Sequence, residues 1–208
     1  MQITLKNTLA HFKKICVHKY WVAYYCFKAG LYWQGIMHDM SKFSWIEFWE
    51  SVRYYQGVSS PINAAKADKG YSNAWQHHKG RNPHHYEYWT DNYDSGTTCI
   101  EMPYKYAVEL ICDWLGAGKA YLGNKFTYSG EYNWWIEKRK IAKIHPYTAN
   151  FISVVFETLA RLENDELPIL RGVTPNQYFS KRFLKVLYYN YSRSKTYIEM
   201  LRKANINS

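Results

Sequence analysis

Apolar positions recur with helical spacing along most of the chain, and an alternation of period two persists nowhere. Residues 4 to 29 read as one long helical stretch that closes near Gly30, and a second, short helix leads into His38-Asp39. Ser44 followed by Glu47 has the spacing of a capping box and opens a helix that stops at Gly57. Residues 58 to 70 read as a loop, 72 to 79 as helix, and Gly80-Arg81-Asn82-Pro83 as a break. A short helical turn from His84 to Trp89 and a polar loop over 90 to 101 follow. Pro103 suits the first position of a helix that reaches Tyr121. Further helices run from Glu131 to Ile144 and from Pro146 to near Glu163, and Thr174-Pro175 with Gln177 caps a last helix of about 28 residues. The pattern predicts an all-α fold.

Composition fits that picture. With 47% hydrophobic and 21% charged residues in a chain of 208, there is enough apolar material for one ordinary domain with a full core. The aromatic share of 19%, with 21 Tyr and 9 Trp, supplies either the core or a stacking platform for bases. The net charge of +10 favours anionic partners. Because no block of consecutive basic residues concentrates it, a small phosphorylated substrate accounts for the charge as well as nucleic acid does. The last predicted helix is basic and amphipathic. Lys181, Arg182, Lys185, Arg193, Lys195, Arg202 and Lys203 alternate there with Phe179, Phe183, Leu184, Leu187, Tyr188, Tyr191, Ile198 and Leu201. It either docks on the core with its basic face in water or offers a surface to an anionic partner or a second copy. Four cysteines without a C-x-x-C pair argue against a structural zinc knuckle. The first 30 residues lack an apolar signal core, and no stretch of 18 apolar residues exists, so the expectation is a reduced, soluble, cytoplasmic protein without a membrane span.

The candidate chemistry lies in the histidines. Six of the eight fall between positions 18 and 85, in the order His18, His38-Asp39, His77-His78, His84-His85, and Asp113 follows. One helical histidine is ordinarily a packing residue, but several such sites in one domain are harder to satisfy as packing, because each buried imidazole needs partners. Imidazole and carboxylate suit zinc, iron, manganese and similar ions. Asn82-Pro83 breaks any helix between His78 and His85, which lets the chain aim both rings at one point. Of the adjacent His84 and His85, one ligates while the other contacts substrate or a second metal. Asp113 shares a helix face with Glu109, four residues earlier, which either orients a ligand histidine or pairs with a surface lysine. Lys42, about one turn past His38-Asp39, is placed to hold a phosphate oxygen or stands in solvent. His77 is the weakest candidate, His11 reads as packing or as a residue at the site mouth, and His145 reads as structural.

The stretch Gly35-Ile36-Met37-His38-Asp39-Met40-Ser41-Lys42-Phe43 resembles the hallmark of the His-Asp (HD) metal-dependent phosphohydrolase superfamily. In order the chain is similar to it: His18 matches the first-helix ligand, His38 and Asp39 the pair, and Asp113 the closing carboxylate. His78, His84 and His85 match histidines inserted in binuclear members. The block from His78 to Trp89, with Met102-Pro103 and Asp113-Trp114, resembles an uncharacterised bacterial and phage branch. The resemblance covers residues 10 to 122. It implies an HD-like helical bundle, which we bound at 1–165; residues 166–208 read as a C-terminal extension, the basic amphipathic helix packed on that domain. It implies one or two divalent ions (Mn, Fe, Ni, Co, Zn or Mg), bridged by Asp39. The implied activity is hydrolysis of a nucleotide or other small phosphate ester, with Lys42 and Arg81 steadying negative charge and Tyr86, Trp89 or Trp75 stacking on a base. Two alternatives are a di-iron oxygenase on the same ligand set and a non-enzymatic nucleic-acid-binding module.

Overall fold

The computed structural model describes residues 3–94, 96–167 and 170–190. The chain is mostly helical. α1 is Leu5–Lys28, α2 Tyr32–Met37, α3 Trp45–Arg53, α4 Pro61–Lys69 and α5 Asn73–Arg81. A two-stranded hairpin follows, β1 Thr90–Tyr93 and β2 Gly96–Cys99, and then α6 Tyr104–Leu122, α7 Tyr128–Ile141 and α8 Pro146–Glu163. α9 (Pro175–Tyr178) and α10 (Lys181–Asn190) complete the described chain.

Helix ends follow their side chains. Thr4 accepts a hydrogen bond from the Asn7 amide at 3.1 Å and so starts α1, while Gly30, at φ 74°, turns the chain out of it. One stripe of α1 (His11, Ile15, His18, Val22, Tyr25) is buried against α6, whose residues Ala107 to Asp113 are all buried. The two helices touch at Gly116, where an added Cβ would stand 2.5 Å from Val22 Cγ2 and 3.0 Å from the Val22 amide nitrogen. Only a hydrogen fits there. His18 lies one turn before Val22 and Asp113 three residues before Gly116, so this close approach sets the distance between two candidate ligands.

Behind α6, α7 and α8 pack through Trp135, whose indole N–H donates to Ser153 Oγ at 2.8 Å. Phe183, Leu184, Leu187 and Tyr188 of α10 join the same apolar core, and Tyr188 donates its hydroxyl proton to the Met102 carbonyl at 3.1 Å.

Several elements differ from the sequence expectation. Residues 58 to 70 hold α4 instead of being loop throughout. Its buried side chains are Pro61 and Ala65, too small to give a strong apolar period, although Pro61 at the start and Gly70 at φ 78° are ordinary boundary signals. The polar loop over 90 to 101 contains the hairpin, with Thr90 opposite Cys99, and strands of four residues are too short to display alternation. α7 starts at Tyr128, capped by Thr127, three residues earlier than expected, and ends at Ile141. α3 stops at Arg53, short of Gly57.

The expected single last helix is broken. Thr174 and Gln177 do form the capping box, but α9 ends at Tyr178, and Phe179 turns inward, 1% exposed, against the Tyr25 ring. Ser180 then accepts from the Phe183 amide at 3.3 Å and α10 begins. Residues 191–208, including Tyr191, Arg193, Lys195, Ile198, Leu201, Arg202 and Lys203, lie outside the described residues. No helix among the described residues is long and apolar enough to cross a membrane.

A methyl at position 116 forces α1 away from α6. Gly116→Ala is expected to lower stability by about 1–3 kcal/mol despite the better helix propensity of alanine. Thermal melting would show the loss, and metal analysis would show weaker retention as His18 and Asp113 separate.

Candidate metal centre

Four segments deliver the site. His18 comes from the buried stripe of α1. The chain leaves α2 at Met37, and Asp39 adopts a left-handed conformation (φ 56°, ψ 26°), which aspartate tolerates better than most residues. That kink turns both His38 and Asp39 inward, to 2% and 1% exposure. A 3₁₀ turn over Met40–Phe43 follows and carries Lys42 back over Asp39, with Nζ 2.5 Å from Oδ2. His78 stands near the end of α5. Asn82 donates from its side chain to the His78 carbonyl and to Ser41 Oγ, both at 2.8 Å, and Pro83 then frees the chain to place His84 and His85. α6 supplies Glu109 and Asp113, one turn apart.

Asp39 is the centre of the arrangement. Its Oδ2 lies 3.3 Å from His18 Nε2 and 3.2 Å from His38 Nε2. Asp113 Oδ1 closes this half at 3.1 Å from His18 and 3.3 Å from His38. The other oxygen, Asp39 Oδ1, lies 3.2 Å from His78 Nε2 and 3.4 Å from His84 Nε2. Two ligand groups result, His18–His38–Asp39–Asp113 and Asp39–His78–His84–His85, and within each the ligand atoms lie within 4.8 Å of one another. Both Asp39 oxygens and the Nε2 atoms of His18, His84 and His85 are buried without a well-formed hydrogen bond, the Lys42 ammonium beside Asp39 Oδ2 making an ion pair only. So many converging lone pairs in one buried volume are costly unless a cation satisfies them, and the donor set of imidazoles and carboxylates fits divalent ions.

An outer ring of carboxylates aims the imidazoles. Glu109 Oε1 takes the Nδ1 side of His38 at 3.1 Å and of His84 at 3.3 Å, which leaves both Nε2 atoms facing Asp39. His38, His84 and Glu109 are themselves close enough to hold an ion. With Nε2 of both rings committed inward, Glu109 is better placed as their support. Glu47 does the same for His78, at 2.7 Å from Nδ1, and also binds His77 at 2.5 Å. His77 therefore stays outside the ligand groups. Lys19 donates from Nζ to the carbonyls of Ile36 and His38 and ties the end of α2 to α1.

Glu47 was not identifiable as a site residue from its position in the chain. It has the spacing of a capping box, and its amide does donate to Ser44 Oγ at 3.4 Å, but its carboxylate turns to the histidines instead of closing the box. Arg81, expected beside the substrate, stands exposed at the end of α5 and does not line the site cavity. Tyr86 is buried in the core beside Trp114, and Trp89 donates its indole N–H to the Pro83 carbonyl at 2.6 Å, so of the three expected stacking rings Trp75 alone lines the cavity. His11 is buried among Phe48 and Tyr55 and lines the cavity wall, and His145 caps α8 by accepting from the Tyr147 amide.

Carboxylates and cations hold one another charged inside the cluster. Burial pushes the Asp39 and Asp113 carboxyls up, but His38 with Lys42 and His78 at Asp39, and His18 with His38 at Asp113, hold both well below the carboxylate range. Burial would lower His38, yet Asp39, Asp113 and Glu109 raise it well above its ordinary value. His84 and His85 are lowered, by burial first and by neighbouring histidines second, which keeps them in the neutral, metal-binding form. On α7, burial and then the charge of Asp113 push Glu131 up to about 8.

A cavity of about 260 Å³ opens onto the cluster. His18, His78, His85, Asp113, Lys14 and Lys42 form its polar side, and Ile15, Pro61, Ile62, Trp75, Trp114 and Tyr121 much of the rest. Lys14 came without a sequence signal. It reaches the cavity because its Nζ donates to the Ala120 carbonyl near the end of α6, at 2.8 Å. A larger depression of about 660 Å³ lies between α8 and α10, remote from these histidines.

Fold and site together define a mostly α-helical protein with a buried His/Asp/Glu cluster fit for metal and compatible with an HD-like centre. The chain belongs to the family of unknown function DUF5662, whose model matches residues 7–158 and so spans every residue of the cluster. That match is not to the HD superfamily, and no curated protein and no solved structure matches the chain.

The shifts fix the pH response of the chelator-stripped protein. Asp39, Asp113, Glu47 and Glu109 have lowered folded values, so their contribution is present above their unfolded values, up to 4.5, and is lost as acid protonates them. His38 and His78 have raised folded values, so theirs is present below 6.5 and is lost as pH rises through the folded values. His11, His84 and His85 have lowered folded values, so their contribution is present above 6.5 and is lost as pH falls, and they outnumber Glu131, whose raised carboxyl costs stability above 4.5. The melting temperature of the stripped protein is therefore expected to peak near 6.5 and fall on both sides. Glu109→Gln is expected to weaken metal affinity by about 10–100-fold, read by competition with a chromogenic chelator, while leaving the ligands themselves in place.

Proposed function

We propose that this protein is a divalent-metal-dependent phosphohydrolase acting on a small phosphate ester, with a binuclear centre of the HD type. The observation that carries this reading is Asp39. Its two oxygens face separate ligand groups, and Lys42 lies against one of them at the edge of the cavity. With its oxygens divided in this way, Asp39 would help both ligand groups hold divalent ions (Mn, Fe, Ni, Co, Zn or Mg). Such ions would supply Lewis acidity and ease the loss of a proton from water.

The protein's own groups do the remainder. Lys42, which Asp39 and Asp113 keep protonated, presents a fixed positive charge where a phosphoryl oxygen would rest, and Lys14 adds a second cation on the cavity wall. Glu109 and Glu47 accept the Nδ1 protons of His38, His84 and His78, so those rings offer Nε2 and cannot turn away. Trp75, Pro61 and Ile62 offer an apolar wall for the alcohol part of the ester. The cavity volume of about 260 Å³ favours a small ester over a polymer, so the nucleic-acid reading gains nothing from this site.

Metal-loaded protein is expected to release phosphate from a panel of small phosphate esters. Lys42→Met should lower kcat by about 10²-fold or more with metal content unchanged, because it removes charge stabilisation and no ligand. Asp39→Asn should lose both metal and activity. Absence of turnover across the panel with two equivalents of metal bound would overturn the hydrolase reading.

A further inference from the structure

The amino-terminal helices carry a second apolar surface that the core does not use. α1 buries one stripe. On the opposite side Leu5, Leu9, Phe12, Tyr20 and Phe27, spaced by whole turns, form another stripe that stands in solvent. Leu5 is 76% exposed. Over those residues the helix runs roughly 33 Å. α2 and the 3₁₀ turn lie alongside and widen the surface with Trp33, Ile36, Met40 and Phe43, of which Trp33 is 69% exposed. The two halves join at both ends, Phe27 against Tyr32 at 5.5 Å and Phe12 against Phe43 at 5.9 Å between ring centres. Each of these nine apolar side chains is at least 38% exposed. Because a free aromatic side chain alone offers about 150–250 Å², the patch exceeds the several hundred Å² usual for a monomer.

Charge decides what covers it. Between Ile3 and Ser44 the single acidic residue is Asp39, and it is buried in the metal cluster at 1% exposure. The same stretch holds six lysines: 6, 13, 14, 19, 28 and 42. Lys14, Lys19 and Lys42 are committed to the Ala120 carbonyl, the end of α2 and Asp39 respectively. Lys6 and Lys13 are exposed on the flank of the α1 stripe, and Lys28 stands over the Tyr24 ring at its end. A second copy docked on this face would bring lysine to lysine with no carboxylate between them. A bilayer with anionic headgroups satisfies both features at once, since aromatic and aliphatic side chains enter the interface while lysines reach the phosphates. We propose that the α1–α2 face docks the protein in the plane of an anionic lipid bilayer. This inference does not depend on the hydrolase reading.

The test is flotation of the full chain with vesicles of equal parts phosphatidylglycerol and phosphatidylcholine, against vesicles of phosphatidylcholine alone. Binding to the anionic vesicles is expected to be at least tenfold tighter, with tryptophan emission shifted to the blue. The double variant Leu9→Ser/Phe12→Ser, and separately Trp33→Ser/Ile36→Ser, should each weaken it at least tenfold without change in melting temperature or metal content. Lys6→Gln with Lys13→Gln should cost about 25-fold at low salt, since each lysine near an anionic surface contributes about fivefold. Failure to bind anionic vesicles overturns the proposal, as does binding that these variants leave intact. A lipid-free dimer that Leu9→Ser/Phe12→Ser dissociates also overturns it and assigns the face to a second copy.

Discussion

Asp39 has 1% of its surface exposed, and its two oxygens are met by the Lys42 ammonium and by imidazole nitrogens at 3.2–3.4 Å, not by well-formed hydrogen bonds. An isolated carboxylate does not survive such burial in the charged form. It survives here because four imidazoles and one ammonium surround it, and because the resulting gap between lone pairs has the size and chemistry of a cation site. The left-handed backbone at this residue turns its side chain inward, and the 3₁₀ turn that follows brings Lys42 back onto it. Removing the imidazoles would leave a buried charge, and removing the charge would leave imidazoles with nothing to bind.

The helices hold this arrangement at two distances from the centre. Close in, Glu109 and Glu47 each take the outer nitrogen of the rings and so hold their Nε2 atoms toward Asp39. Further out, the glycine contact between α6 and α1 sets how near Asp113 can come to His18. A site assembled from α1, the α2 exit, α5 and α6 depends on backbone packing at a point where no ligand sits.

Helical periodicity and boundary residues made most of the fold readable. α1, α5, α6 and α8 carry strong apolar stripes or clear stops, and they were found within a few residues. α4 escaped because Pro61 and Ala65 present too little apolar surface to register as a period. The last helix was overextended because the sequence does not reveal that Phe179 leaves the helical path to pack on Tyr25. At the site, His18, His38, Asp39, His78, His84, His85 and Asp113 were all nominated from residue type and order, and all seven stand in the two ligand groups. Glu47 reads as a helix cap, since spacing alone cannot say which way a carboxylate turns. Arg81 carries charge near the histidines in sequence, yet it stands exposed at the end of α5.

Residue type, order and punctuation by themselves determined that the chain is helical, that its histidines and aspartates are more than packing readily satisfies, and that Asn82-Pro83 breaks any helix between two of them. These are local properties, fixed by backbone preference and side-chain chemistry within a few residues. Only the tertiary structure decided that Asp39 faces two ligand groups, that Glu47 and Glu109 stand behind the rings, and that α1 leaves one of its two apolar faces in water. Those outcomes depend on which helix packs against which, and at what separation, and that information is distributed over contacts between residues as far apart as Val22 and Gly116.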